Sequence, residues 1–509
     1  MKPKRKEVFK LAALHAREKL IRILAFTMVL SSMSATMFNL ALPRMKEDFG
    51  LTLAQVSWVS SIYLLVYAIG SVFYGKLSDR YPLKSLLTFG IGLFAVGSAV
   101  GIASPTYGVA LLARILQAAG AAVVPAAAMI VPVRFFPPEK RGRALGITAT
   151  GLALGNAIGP VAAAAVLGLA GWRWLFAVPL LLVFTLPAYR AHLADEPRAP
   201  GRIDWLGGGL LAAAVALLLL AVTQGGRELG LGSLVLFGLF LVRIRAAREP
   251  FAPPRLFRNG SYSAGLGIAV LVVGIGYSLP FLTPQLLSGV QGLRAEWVGA
   301  AMMPAAAASA LLGRKAGKLA DLRGAPFLFG LASALLTLGF LLLSTFAGAP
   351  AAVVALLLML ANVGQTFMQI ALTKTISVTL PKEQTGVGMG LLSMLNFLSG
   401  AVASGLYGRA VDGGAAASWN PLQTNGNANV FGNVYLLLAA AHALLFLLYR
   451  ARFGAGSRPD APQPAAPAAG GQDGRLHAGG AGAASAAALA NGFLPPRGGR
   501  SPSPPSSNA

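Results

Sequence analysis

Two ten-residue loops carry much of the chemistry this chain can offer. GKLSDRYPLK at 75–84 returns as GKLADLRGAP at 317–326, so Asp79 recurs as Asp321, and Arg80 has its counterpart in Arg323 one position further along the second copy. A carboxylate placed where an apolar stretch ends can accept hydrogen bonds from the exposed amides of another helix's N-terminus, where the helix dipole favours negative charge. Such a contact would fasten two helical bundles together. The second copy has drifted further, so Asp321 and Arg323 are expected to play the weaker part.

Arg114 is the basic residue that falls well inside an apolar stretch, with Gln117 three positions on. An ionisable group there costs a few kcal/mol on insertion scales, about 3, and usually marks a substrate or ion path. The alternative is a structural arginine held by Gln117 and nearby carbonyls. Gly151, Gly155 and Gly159 share one helical face at four-residue spacing, and Pro160 removes a hydrogen bond beside them. The pattern predicts a notched, bendable helix that another backbone can approach closely. Gln365 and Gln369 also share a face, so with Asn156 they are read as lining a substrate or proton path.

Catalytic and metal chemistry finds little here. Cysteine is absent, His15, His192, His442 and His477 stand singly, and no zinc-ligand spacing, nucleophile elbow or phosphate-cradling loop occurs. No enzyme, cofactor or metal site is expected. His442 is read as a satisfied packing residue.

The elements that must position these groups are membrane spans. With 55% hydrophobic and 12% charged residues, the 509-residue chain holds about half the charge of a soluble domain. Apolar windows of about 20 residues lie near 20–42, 54–75, 85–104, 107–132, 144–168 and 172–190, then 203–223 and 231–247, then 261–287, 296–316, 326–347, 351–376, 385–410 and 432–450. The expected fold is therefore all-α with fourteen transmembrane helices. Its parts are a basic N-terminus at 1–19, a six-helix bundle at 20–190, two intervening helices at 203–247, a second six-helix bundle at 261–450 and a disordered tail at 454–509. The repeat of a charged turn between spans is the mark of transporters built from paired bundles.

The formal charge of +25 would suggest nucleic acid in a soluble protein, but it follows the membrane instead. Placing the N-terminus in the cytosol leaves Arg44, Lys46, Arg173, Arg227, Arg294 and Arg409 as the basic residues of the opposite side. Every other basic loop then faces the cytosol, as the positive-inside rule requires. The expectation is a multi-pass plasma-membrane protein with both termini cytoplasmic, its partners being lipid and a small molecule.

These residues resemble the major facilitator superfamily, specifically its fourteen-helix drug:proton antiporters, and among those the tetracycline efflux pumps. The first loop is similar to the family's G-x-L-a-D-R-x-G-R-K signature through Gly75, Leu77, Asp79, Arg80 and Lys84, with Pro82 in place of the second glycine. ARILQAAGAAVVPA keeps Arg114, Gln117 and Gly120 of a second signature, and GLALGNAIGP keeps Gly151, Gly155, Gly159 and Pro160 of the antiporter signature. The resemblance implies the major facilitator fold and alternating access. It also implies a gate at Gly75, Asp79, Arg80 and Lys84 that holds the cytoplasmic side shut against the start of the thirteenth span, near Thr385 and Gly386. It implies further that the glycine face separates the bundles and that protons are exchanged for drug.

One departure bears on that last point. Where the relatives place acids in the first, fifth and thirteenth spans, this chain carries Ser34 or Ala35, Asn156 and Gly400. With Arg114 and no mid-span acid, the cavity is expected to favour neutral, zwitterionic or anionic compounds over simple organic cations. A proton-independent facilitator or metabolite exporter, and a membrane receptor that no longer transports, are the competing readings.

Overall fold

The computed structural model describes residues 2–453 apart from Thr52, 194–201 and Gly225. The tail expected at 454–509 lies outside the described residues. Long helices are numbered here in chain order. The first six are α1 Lys2–Met37, α2 Leu53–Ser78, α3 Leu83–Ile102, α4 Tyr107–Phe135, α5 Pro138–Leu169 and α6 Trp172–His192, the last wound largely as 3₁₀. Then come α7 Trp205–Gln224, α8 Arg227–Ala246, α9 Gly260–Val290, α10 Ala295–Arg323, α11 Ala325–Thr345, α12 Ala351–Val378, α13 Thr385–Gly413 and α14 Asn429–Phe453. No strand occurs among the described residues.

Local sequence sets the breaks. Thr106 starts α4 by accepting from the Val109 amide, and the Asn259 side chain caps α9 through the Tyr262 amide at 3.1 Å. Gly324, at φ +86, lets the chain turn from α10 into α11, a conformation that a side chain would strain.

Twelve helices among the described residues are long and apolar enough to cross a membrane. Helix α5 becomes the thirteenth when its two stretches, Pro138–Asn156 and Val161–Leu169, are taken together; Pro160 lies in the break and cannot donate the helical hydrogen bond there. Helix α10 is as long as its neighbours but alanine-rich, with Arg314, Lys315, Lys318 and Arg323 crowding its last turns. It is not among the twelve, so the apolar helices number twelve to thirteen where the sequence pattern predicts fourteen spans.

The helices pack in a pattern that repeats with an offset of eight. Helix α1 lies on α5, α2 on α4 and α3 on α4 and α6; correspondingly α9 lies on α13, α10 on α12 and α11 on α12 and α14. The main contacts between these sets are α2 with α13 and α5 with α10, joined by smaller ones of α4 with α13 and α5 with α12, and each pair exchanges under the same offset. Helices α7 and α8 form a hairpin that touches α13 and α2.

Candidate functional site

The repeated loops lie where the two sets meet. Asp79 follows the last turn of α2, and its carboxylate accepts from the amides of Gly386 at 2.8 Å and Val387 at 2.9 Å. These belong to the first turn of α13, where no intrahelical carbonyl serves them. Arg134, in the last turn of α4, donates to Asp79 Oδ1 at 2.7 Å and to the Ser78 carbonyl at 2.7 Å. The two side chains are 17% and 9% exposed, dry enough for the pair to count for more than a surface salt bridge. Burial raises the Asp79 carboxyl to about 6, against the opposing pull of Arg134 and the two amides.

The second loop repeats the arrangement with its own partners. Asp321, near the end of α10, accepts from the amides of Gly142 at 2.9 Å and Arg143 at 2.7 Å early in α5. Lys374, late in α12, donates to Asp321 Oδ1 at 2.5 Å and to the Ala320 carbonyl at 2.9 Å. Exposures of 12% for Lys374 and 11% for Asp321 match the first site. The drift of the second loop has not loosened its contacts, contrary to the weaker role expected of it.

Glycines make both approaches possible. A side chain at Gly75 would meet the Gly386 carbonyl and, at 2.8 Å, the Cα of Gly390, while Gly142 and Gly317 stand against each other's backbone in the second contact. Thr150 adds a hydrogen bond to the Ala310 carbonyl at 3.1 Å.

Three other residues read as part of the gate lie elsewhere. Arg80 faces Glu249 at 3.5 Å, ahead of α9, rather than α13. Lys84 is half-buried one residue into α3, and Arg323 is exposed with its guanidinium 4.9 Å from the Phe327 ring centre. The cations at the carboxylates are Arg134 and Lys374, which sequence reading missed. Spacing could have found them: Asp79 to Arg134 is 55 residues and Asp321 to Lys374 is 53.

The glycine notch also differs from expectation. Gly151 stands against the Ala25 carbonyl, Gly155 against Val29 and Ser32, and Gly159 against Thr36, so this face seats α1 within its own helix set. The opposite face of α5, with Gly142 and Gly146, meets α10. Helix α5 is notched on both sides, and the resemblance had pointed to the wrong one for the contact between sets.

Arg114 is fully buried, with Gln117 beside it. Its Nε donates to the Val59 carbonyl at 3.1 Å, and its Nη1 to Gln117 Oε1 at 3.0 Å and the Ser34 carbonyl at 3.4 Å. The rings of Phe38 and Tyr63 stand 4.1 and 3.9 Å from the guanidinium carbon. Gln117 passes the network on to Ser98 at 2.8 Å. Within this tight nest Arg114 Nη2, Ser34 Oγ and Tyr63 Oη lack partners.

Among the described residues no hydrogen bond joins Asn156, Gln365 or Gln369 to one another or to Arg114 and Gln117. Asn156 is exposed on α5, Gln365 packs against Gly276 and reaches the Val272 carbonyl at 3.5 Å, and Gln369 is half-buried one turn further along α12. His442 is buried against Phe340 with both ring nitrogens unpartnered, so it is not the satisfied residue expected. Among the described residues the carboxylates stand at the ends of the apolar stretches or outside them, and no group of three or more potential ligands could hold a metal ion.

Residues 24–404 match the profile of the Major Facilitator Superfamily. The chain is 25% identical over 394 residues to the riboflavin transporter RibZ of Clostridioides difficile (strain 630), a match covering 76% of this chain and 86% of RibZ. It is 28% identical over 404 residues to the multidrug resistance protein Stp of Mycobacterium tuberculosis (strain CDC 1551 / Oshkosh), covering 76% of this chain and 73% of Stp. In structure it is similar to the human organic anion transporter MFSD10 (TETRAN), with a TM-score of 0.64 at 15% identity over 85% of this chain and 99% of that one.

Proposed function

Because the chain belongs to the Major Facilitator Superfamily, a family of multi-pass membrane transporters rather than enzymes, we propose that it exports small amphiphilic compounds by alternating access. In this reading the bundles at 20–190 and 261–450 rock about a central path, 203–247 supplies two extra helices, and α10 completes fourteen spans. The fourteen-helix drug antiporters, tetracycline pumps among them, are then its branch. The basic loops put Asp79 and Asp321 at the cytosolic face of the plasma membrane, with both termini on that side. On this reading the contacts at Asp79 and Asp321 close the transporter toward the cytosol.

The single observation that carries this reading is the exchange of carboxylates between the two helix sets. Each set offers an aspartate to the start of a helix in the other, and each aspartate is backed by a cation from its own set. Such a symmetric pair opens as a unit when the sets rock apart. Drug rather than nutrient as cargo is supported by similarity to Stp. The unpaired Nη2 of Arg114 and the scarcity of acid within the spans favour neutral, zwitterionic or anionic amphiphiles.

Proton exchange rests on the antiporter resemblance, and its candidate titrating group is Asp79 rather than an acid within a span. A second reading, a proton-independent carrier of a metabolite, is favoured by the placement of the carboxylates at the ends of the apolar stretches or outside them and by the similarity to RibZ. Everted vesicles carrying the full chain separate the two. Uptake of tetracycline-like compounds that rises with an imposed pH gradient supports the antiporter. Uptake indifferent to the gradient leaves the metabolite carrier standing, and no uptake across a broad compound panel removes export altogether.

A further inference from the structure

A groove beside the α5–α10 contact combines an apolar floor with a cationic rim whose side chains neither aspartate contact uses. Its floor is apolar, formed by Ile21, Phe26 and Val29 of α1 with Ile147 and Leu154 of α5, and it encloses a cavity of about 300 Å³. Its rim is cationic: Arg17 and Arg22 from α1, Lys140 and Arg143 from the start of α5, and Arg314 from α10. The rim holds a single carboxylate, Glu18, which Arg143 engages at 2.9 Å and Arg22 approaches to 3.9 Å. Five cations facing one acid leave a strong excess of positive charge. Moreover, Arg143 Nε is buried without a partner.

Phe26, 51% exposed, opens the apolar floor sideways to the membrane. A groove that is greasy along the span and cationic at its end matches an amphiphile whose tail lies in hydrocarbon and whose head carries phosphate. Basic pockets between spans on the cytosolic side take such headgroups, and each cation near an anionic surface contributes to the attraction. We propose that this groove is a binding site for an anionic phospholipid of the phosphatidylglycerol type, with an acyl chain along α1 and α5 and the phosphate among Arg17, Arg22, Lys140 and Arg314. Because Arg314 comes from the second helix set and the others from the first, the bound headgroup bridges the α5–α10 contact and favours the latched state.

Phe26→Trp, reconstituted as the full chain, gives the probe, with the unsubstituted protein as background for the six native tryptophans. Brominated phosphatidylglycerol should quench the introduced indole at a lower mole fraction than brominated phosphatidylcholine. Arg17→Gln, Arg22→Gln, Lys140→Gln and Arg314→Gln together should erase that preference, each charge removed weakening it by roughly fivefold at low salt. Where the fourfold variant fails to fold, the pair Arg17→Gln and Arg314→Gln, both at exposed positions, should lose part of it. Equal quenching by the two lipids, or a preference untouched by the substitutions, overturns the proposal. So does full competition by soluble glycerol 3-phosphate, which would make this a site for free phosphate esters.

Discussion

The sites at Asp79 and Asp321 share a plan and differ in their cations. Each carboxylate takes two backbone amides from the opposite helix set and one side chain from its own. At Asp79 that side chain is a guanidinium that also reaches the Ser78 carbonyl, so one planar group holds both the acid and the turn carrying it. At Asp321 it is an ammonium, which binds the Ala320 carbonyl as well but has no fixed fork. Two amides and a buried cation thus suffice to rebuild the contact on a loop of altered sequence. The backbone acceptor geometry is the shared element, and the identity of the cation tunes it.

Removing the acids tests that view most severely. Asp79→Ala strips the Gly386 and Val387 amides and the buried Arg134 of their acceptor, and Asp321→Ala does the same to the Gly142 and Arg143 amides and Lys374. Each should cost the latched state about 3–5 kcal/mol, as for a broken buried pair. The combined loss should fall short of the sum, because the two contacts open together. The chain has no cysteine, so Tyr81→Cys with Glu383→Cys gives a clean label pair spanning the α2–α13 contact. Spin-label distances should lengthen in either alanine variant. Unchanged distances in Asp321→Ala, with lengthened ones in Asp79→Ala, would show that the second site is a passive copy.

Next in size is the close backbone approach. Gly75→Ala drives a methyl into α13, and Gly317→Ala drives one into α5. Each should cost about 1–3 kcal/mol of latched population, in the range for overpacking. Transport rates should shift in the same direction for both. Gly92→Ala, where no atom lies within 4 Å of the added methyl, is the control.

Much of this was legible in the chain. The repeat, the apolar stretches and the acid's fitness for a helix start are local properties, and local patterns are what a sequence displays. The side of α5 that meets the other set was not legible, because Gly142, Gly146, Gly151, Gly155 and Gly159 occupy two faces and small residues alone do not say which neighbour fills each. Arg134 and Lys374 were overlooked since each lies far along the chain from its acid, and only the similar spacing in the two halves links them. Arg114 could be placed within a span, but whether it lines a path or is sealed between Phe38 and Tyr63 depends on how α1, α2 and α4 converge. The apolar window at 296–316 predicts a span in α10, and the helix's low apolarity over its full length reflects the α5, α12 and Asp321 contacts it serves.

A smaller effect should separate the two cations. Arg134→Lys keeps the charge and loses the fork to Ser78, at about 1 kcal/mol, one net hydrogen bond. Lys374→Arg surrenders no such geometry and should be closer to neutral if the enlarged head fits. The same label pair reads both. An equal loss in the two variants would mean that the guanidinium shape is irrelevant and that charge alone holds each contact.

The smallest effect is that of pH, and its sign is the less intuitive one. An ion-pair argument would have the Asp79 contact weaken as acid neutralises the carboxylate. Burial, however, raises this carboxyl from 3.8 to about 6 in the latched state. Once solvated by opening, it would return toward the ordinary value. Latching therefore takes up a proton between these limits, so the latched population should rise as pH falls through 6 toward 4 and be flat above about 7. Between pH 7 and 5.5 the gain should stay under about 1 kcal/mol, because this window reaches only about half a unit below the raised value. Asp79→Asn cannot titrate and should abolish the slope while Asp321 remains intact. A latched fraction that instead falls with acid in the unsubstituted protein would show that Arg134 and the two amides outweigh burial, making Asp79 a fixed charge rather than the proton-sensitive element of the pair.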